Sequence, residues 1–479
     1  MSANPDSLLA YRARVGRIQV RSPYDNQLLT SVETINEKRL EQVLSLAYGL
    51  FKNRNKWLPK PARIEILERC ASYMRRDAEE LALNAAREGG KPLIDSRLEV
   101  ERAIDGVHNV VDLLKRQGGY TVPMGVNSGS THRVSFSRSE PIGLVVAVSA
   151  FNHPLNLIVH QVAPAIGAGC PVIVKPAEDT PLSCFRFVDL LREAGLPEGW
   201  CQPIVPDDLA LSTRLVTDPR VGFFSFIGSA NVGWMLRSKL APGTRCSLEH
   251  GGAAPVILTD DADIEAALPL LAKGGFYHAG QVCVSVQRVY AHRSIARKVK
   301  EKLGTLASAL RVGDPSSEDT EVGPLIRRRE VERVHAWVEE ARYQGTETVS
   351  GGYAIDDTCY APTVLFNPAA DLKVSTREIF GPVICVYPYD SLDDAIAQAN
   401  MLPYAFQASV FTSDIDTAAY VADRIDASAV MVNDHTAFRV DWMPFAGLRE
   451  SGLGVGGIPY TFRDMQVEKM MVLRSNALH

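Results

Sequence analysis

The chain has 479 residues, 46% of them hydrophobic and 22% charged, with a formal net charge of -5. That length implies two or three domains, and the ordinary composition excludes a disordered or fibrous chain. Mild acidity without a Lys/Arg run excludes the electrostatic footprint of a nucleic-acid binder.

Residues Met1 to Val20 carry Asp6, Arg12, Arg14 and Arg17 and no apolar core, so a secretory signal is not expected. Cys70, Cys170, Cys184, Cys201, Cys246, Cys283, Cys359 and Cys385 are scattered without a C-x-x-C pair. Neither a metal site nor a disulfide framework is implied, and free thiols point to the cytoplasm. The longest mostly apolar run, Ile142 to Phe151, is too short to span a bilayer, so no membrane partner is expected.

Thr34 to Glu37 has the form of a capping box, and the spacing of Leu40, Val43, Leu44 and Ala47 predicts a helix. Pro59 and Pro61 close it, and Ile64 to Arg116 reads as helical with a break at Gly89 to Pro92. Turn residues around Val134, Phe136 and Arg138 predict a hairpin arm between Gly118 and Pro141.

From Gly143 strand and helix alternate as in a parallel sheet. Strands are predicted at Leu144 to Ala150, Pro171 to Val174, Gln202 to Val205, Val221 to Ile227 and Cys246 to Leu248. This is the pattern of an open α/β nucleotide-binding domain. A second alternating region begins near Pro255, and glycines from Phe445 to Pro459 predict a loop before a terminal strand at Met470 to Leu473.

Several stretches carry candidate chemistry. Gly280-Gln281-Val282-Cys283 ends in a thiol at a sharp turn, readable as a nucleophile or as a buried small apolar side chain. Asn152, past a strand end, suits an oxyanion donor or a helix cap. Lys175 and Glu178 suit ribose hydroxyls or a solvated loop, and Glu178 disfavours a 2′-phosphate. Gly228 and Ser229, with Gly233 in the following helix, offer a pyrophosphate turn that is neither G-x-G-x-x-G nor a P-loop. Glu249, leaving a strand into a glycine pair, suits a general base or a strand-end charge held by backbone N–H groups.

The order of these motifs, with Glu378-Ile379-Phe380-Gly381-Pro382, Pro444-Phe445-x-Gly447 and Ser451-Gly452-x-Gly454, resembles the aldehyde dehydrogenase superfamily over nearly the whole chain. The resemblance implies an α/β fold in three parts. Residues 1–117 and 141–247 would form a Rossmann-like NAD-binding domain, and 248–430 a second α/β catalytic domain. Residues 118–140 and 459–479 would form a β-arm for assembly into a homodimer or homotetramer, and 431–458 a loop region closing the site.

It implies Cys283 as nucleophile forming a thiohemiacetal, Asn152 and the Cys283 N–H as oxyanion donors, and Glu249 as the base that hydrolyses the thioester to an acid. NAD, with NADP possible, would be held by Lys175, Glu178, Gly228, Ser229, Gly233, Glu378 and Phe380. His250, Arg377 and Ala446 depart from the usual pattern and place the chain nearest lactaldehyde and phosphonoacetaldehyde dehydrogenases.

Arg102, His153 and Arg439 fall in segments that line the substrate entrance in that family, so a small polar or anionic aldehyde is expected. Alternatively they pair with Glu99, Asp105 or Asp441, and Phe276, Phe438 and Trp442 line a tunnel for neutral aromatic or aliphatic aldehydes. A CoA-acylating semialdehyde dehydrogenase and a crystallin-like structural protein are the competing functions. Glu249 speaks against the first and the complete site against the second.

Overall fold

The computed structural model describes residues 14–478. The reading of the first residues as lacking a signal, and the ends of the expected first and last segments, lie partly outside the described residues.

Two mostly parallel sheets organise the chain, each with one antiparallel edge strand. The first has the order Gly452–Leu453, Arg245–Glu249, Val221–Ile227, Leu144–Val148, Val172–Lys175, Cys201–Pro203, parallel except at its first pairing. Its strands are short apolar runs because helices cover both faces. Along Leu144–Val148 the pleat divides the side chains: Val145 and Ala147 enter one core, Leu144 and Val146 the other. From Leu144–Val148 the chain steps outward on one side, then returns to build the other. The C-terminal end of that strand therefore opens on the crevice at a topological switch point, and Asn152 lies just beyond it.

The second sheet has the order Glu347–Ser350, Thr363–Phe366, Val383–Tyr389, Val286–His292, Ala254–Leu258, Gln407–Phe411, Ala429–Val432. Cys283 precedes the strand Val286–His292, so it sits at the N-terminal edge of this sheet. Glu249 ends a strand of the first sheet five residues before Ala254 opens one of the second. Cys283, Glu249 and Asn152 thus meet where the C-terminal edge of one sheet faces the N-terminal edge of the other.

A third element pairs Arg133–Pro141 with Gln466–Arg474 in unbroken antiparallel register. The expected hairpin arm is therefore a strand matched to the far end of the chain. Between loop and terminal strand, Ile458–Asp464 forms a helix that sends Ile458 and Phe462 into the core of the first sheet. Apolar periodicity carries no sign of this helix, because Gly456 and Gly457 mask its start.

Two buried carboxylates hold the first body together. Helices Asn156–Ala168 and Leu182–Glu193 lack a side-chain cap of their own. Glu88 accepts from the N–H groups of Leu182 and Ser183 at 2.7 and 2.8 Å. Glu99 accepts from those of Leu155 and Asn156 at 2.9 Å each, and from Lys91 Nζ at 2.6 Å. Glu99→Ala would leave two N–H groups unanswered and a buried ammonium without its counter-charge. It is expected to lower stability by about 3–5 kcal/mol, read from the denaturant midpoint.

The expected capping box is a simpler cap. Asn36 accepts from Arg39 N at 3.0 Å at the start of Glu37–Lys52, while Thr34 belongs to a strand and bonds Asp207.

Candidate active site

The loop before Cys283 is bent hard. His278, Ala279 and Gly280 have φ of 51°, 53° and 68°, and two of them lack glycine's freedom. At Gly280 a Cβ would strike the carbonyl of Gly381, so glycine is required there. Gln281 clamps the bend. Its amide donates to the carbonyls of His278 and Pro324 at 3.2 Å each and accepts from Ile326 N at 2.9 Å. Asn152 Nδ2 donates to the Gln281 carbonyl at 2.9 Å, which ties the first sheet to the thiol loop.

Cys283 is half-buried, and burial pushes its thiol up to about 12. The Arg439 guanidinium pulls it down, while the Glu378 and Glu249 carboxylates push it further up. Burial thus keeps the thiol protonated at neutral pH. The Glu249 carboxyl is likewise raised by burial, opposed by Arg439. Gly456 makes room for it, since a Cβ there would meet Glu249 Oε1. Glu378 accepts from Gly252 N at 3.1 Å and is pushed by burial up to about 7. It lies against Gly251, where no Cβ fits.

The three expected cations do not form one clamp. Arg102 is committed to Asp441, with Nε to Oδ2 at 3.1 Å and Nη2 to Oδ1 at 2.7 Å, the pairing weighed as the alternative from sequence. Asp441 also takes His160 Nε2 at 2.7 Å. His153 is uncharged: burial, then Lys91, Arg102, His278 and Arg439, hold it well below the ordinary imidazole value.

Arg439 is different. Its guanidinium lies 3.5 Å from the Phe445 ring centroid and one Nη is 3.4 Å from His160 Nδ1. Its Nε is buried without a partner among the described residues. A buried, half-answered guanidinium beside Cys283 and Glu249 is a ready anion site. Of the aromatic residues expected to line a tunnel, Phe438 and Trp442 are exposed, whereas Phe276 is fully buried in the core of the second sheet.

Of the expected cofactor residues, Lys175, Glu178, Gly228, Ser229 and Gly233 lie at or past the ends of first-sheet strands, while Glu378 and Phe380 precede the second-sheet strand Val383–Tyr389. Lys175 ends Val172–Lys175, with Nζ 3.4 Å from Glu178 Oε1. Gly228 and Ser229 join Val221–Ile227 to the helix Ala230–Arg237, and Gly228 N donates to the Glu249 carbonyl at 3.0 Å. Gly233 serves a packing need, since a Cβ there would collide with the His250 ring. His250, the departure from the family pattern, bonds the Gly228 carbonyl through Nδ1 at 2.9 Å and packs between Phe226 and Trp234. Phe380 has φ of 46°, and its ring meets Phe151 edge-on at 5.9 Å.

Gln281, Lys91, Glu99 and Asp441 act in this site through partners distant in sequence. Gln281 alone carries a signal, as part of Gly-Gln-x-Cys, yet in the sequence that signal speaks only for a turn.

Residues 11–471 match the profile of the aldehyde dehydrogenase family. The chain is 37% identical over 457 residues to a 3-sulfolactaldehyde dehydrogenase of Priestia megaterium, covering 95% of each. It is 32% identical over 460 residues to a lactaldehyde dehydrogenase of Methanocaldococcus jannaschii, covering 95% of this chain and 97% of that one. A glyceraldehyde-3-phosphate dehydrogenase of the same archaeon, solved with NADP, superposes with a TM-score of 0.91 at 31% identity, covering 97% of this chain and 100% of that one. With a thiol, a buried carboxylate and an amide converging between two parallel sheets, and with these likenesses running end to end, the chain belongs to the aldehyde dehydrogenase family.

Proposed function

We propose that this enzyme oxidises a small aldehyde with a polar or anionic tail to its carboxylic acid with NAD(P), through a thioester on Cys283. The observation that carries the substrate class is the incompletely answered guanidinium of Arg439 beside Cys283 and Glu249. Relatives named for lactaldehyde and sulfolactaldehyde support the same class.

The residues present fit a dinucleotide. The crevice offers the start of an eight-residue helix after Gly228-Ser229 for a pyrophosphate, and Lys175 with Glu178 for a ribose diol. Glu378 and Phe380 serve the nicotinamide side. When bound, the nicotinamide supplies the acceptor for the two electrons leaving the aldehyde carbon. The chain's own groups do the rest. Cys283 gives its proton up to solvent, and the sulfur bonds to the aldehyde carbon as the carbonyl oxygen takes negative charge. Asn152 Nδ2 spends one N–H on Gln281 and keeps the other for that oxyanion, alongside the Cys283 N–H. After oxidation, Glu249 takes a proton from water, the hydroxyl adds to the thioester carbon, and the carbon–sulfur bond breaks to release the acid.

In this reading the first sheet belongs to the NAD-binding domain and the second to the catalytic domain. The pair Arg133–Pro141 and Gln466–Arg474 is the contact arm of a homodimer or homotetramer, since Val134, Phe136, Met470, Met471, Val472 and Leu473 are exposed on it. Among the described residues no helix is long and apolar enough to cross a membrane. A cytoplasmic location fits the eight free thiols.

Kinetics with sulfolactaldehyde, lactaldehyde and propanal, each with NAD and NADP, test the substrate class. Arg439→Ala is expected to lower the preference for the sulfonate-tailed aldehyde over propanal by about 10–100-fold, the loss of one charge-assisted contact of about 1.5–3 kcal/mol. An unchanged preference removes the anionic-tail reading, and a CoA requirement for turnover removes hydrolysis.

A further inference from the structure

The turn that follows Leu144–Val148 packs on a buried pair of charges that the chemistry above does not use. Lys91 is 1% exposed and Glu99 2%, with Nζ to Oε2 at 2.6 Å. The same ammonium lies 2.6 Å from Nδ1 of His153. An ammonium has donors only, so at this contact Nδ1 must accept. A neutral imidazole that accepts at Nδ1 carries its proton on Nε2.

Glu99 makes the arrangement rigid. One carboxylate oxygen holds Lys91 while the other takes the N–H groups of Leu155 and Asn156, two and three residues past His153. The lysine is thus tethered to the turn whose histidine it contacts. The ring edge facing Lys91 is closed, because Lys91 is buried, yet 13% of the His153 side chain remains exposed. With Nδ1 taken up by Lys91, Nε2 is the ring nitrogen left to meet a ligand, one residue along from Asn152. His278 packs against the ring at 6.3 Å between centroids.

We propose that Lys91 is a positioning residue that locks His153 in the Nε2–H tautomer, so that His153 offers a fixed, uncharged donor to an acceptor oxygen on the substrate's tail. The idea rests on the polar-tail reading above and divides the labour within it: Arg439 supplies charge, His153 supplies direction. A second cation is not needed, and a neutral donor suits a hydroxyl as well as a sulfonate or carboxylate oxygen.

Neutron diffraction of the wild-type enzyme reads the tautomer directly, with a deuteron expected on Nε2 of His153 and none on Nδ1. A deuteron on Nδ1 overturns the proposal. In kinetics, Lys91→Met frees the ring. The ratio of kcat/KM for lactaldehyde to that for propanal is expected to fall about 10-fold, the size of one hydrogen bond to a neutral donor. His153→Leu should reproduce that fall, and His153→Gln, which keeps a neutral donor, should restore part of it. If Lys91→Met does not fold, the two His153 variants and the neutron map decide.

A loss shared equally by lactaldehyde and propanal makes Lys91 a structural residue and overturns the proposal. A wild-type enzyme indifferent to the tail overturns the substrate class together with this target for His153. A wild-type preference for lactaldehyde that survives in His153→Leu overturns this proposal alone.

Discussion

Cys283→Ala is expected to abolish NAD(P)H production, by about 10^4-fold or more, while the protein still folds and still binds cofactor. The fold should survive because the loop's shape is held elsewhere. Gln281 bridges His278, Pro324 and Ile326, Asn152 holds the Gln281 carbonyl, and Gly280 supplies the close approach to Gly381. Truncating a half-buried thiol in such a loop changes stability by about 1 kcal/mol at most. Cofactor binding should survive because the crevice residues Lys175, Glu178, Gly228 and Ser229 lie on the other sheet. Single-turnover kinetics and cofactor titration together check this. Retained turnover in the alanine variant removes Cys283 as nucleophile; lost cofactor affinity shows that its loop also shapes the nicotinamide pocket.

Much of the fold is legible in the chain because buried parallel strands are continuous apolar runs, and Val221–Ile227 is predicted to the residue. The hairpin Arg14–Arg21 with Leu28–Ile35 is not legible, since most of its residues are polar and at least partly exposed, leaving almost no apolar alternation to read. The edge strand Glu347–Ser350 hides for the same reason.

In the site, Cys283, Glu249 and Asn152, which the fold brings together, are legible because each sits in a short motif. What the sequence hides is commitment between distant residues. Arg102 and Asp441 are 339 positions apart, Lys91 and His153 62 apart. Only the fold shows that one expected cation is answered by a carboxylate, that another is held neutral by burial and a neighbouring lysine, and that Arg439 is left with an open donor.

Glu249→Gln should separate the two halves of the reaction. Expected is a burst of about one NAD(P)H per active site, followed by steady turnover lower by about 10^2–10^4-fold, as the thioester waits for water without a base. The pH profile carries the same assignment with a definite sign. Burial raises the Glu249 pKa, so the basic form grows with pH, and the hydrolytic limb of kcat rises through a midpoint above the usual carboxylate range. In Glu249→Gln that limb disappears.

Glu378 is pushed by burial up to about 7, likewise above the usual carboxylate range, so Glu378→Gln is the control. If the limb is lost there and kept in Glu249→Gln, the base has been misassigned. Arg439 supplies a second check, because its charge pulls both Glu249 and Cys283 toward their ionised forms. In Arg439→Ala the hydrolytic limb and the thiol's attack should both move to higher pH, even with propanal, which has no tail for Arg439 to bind. A guanidinium that only gripped substrate would leave the propanal profile where it was.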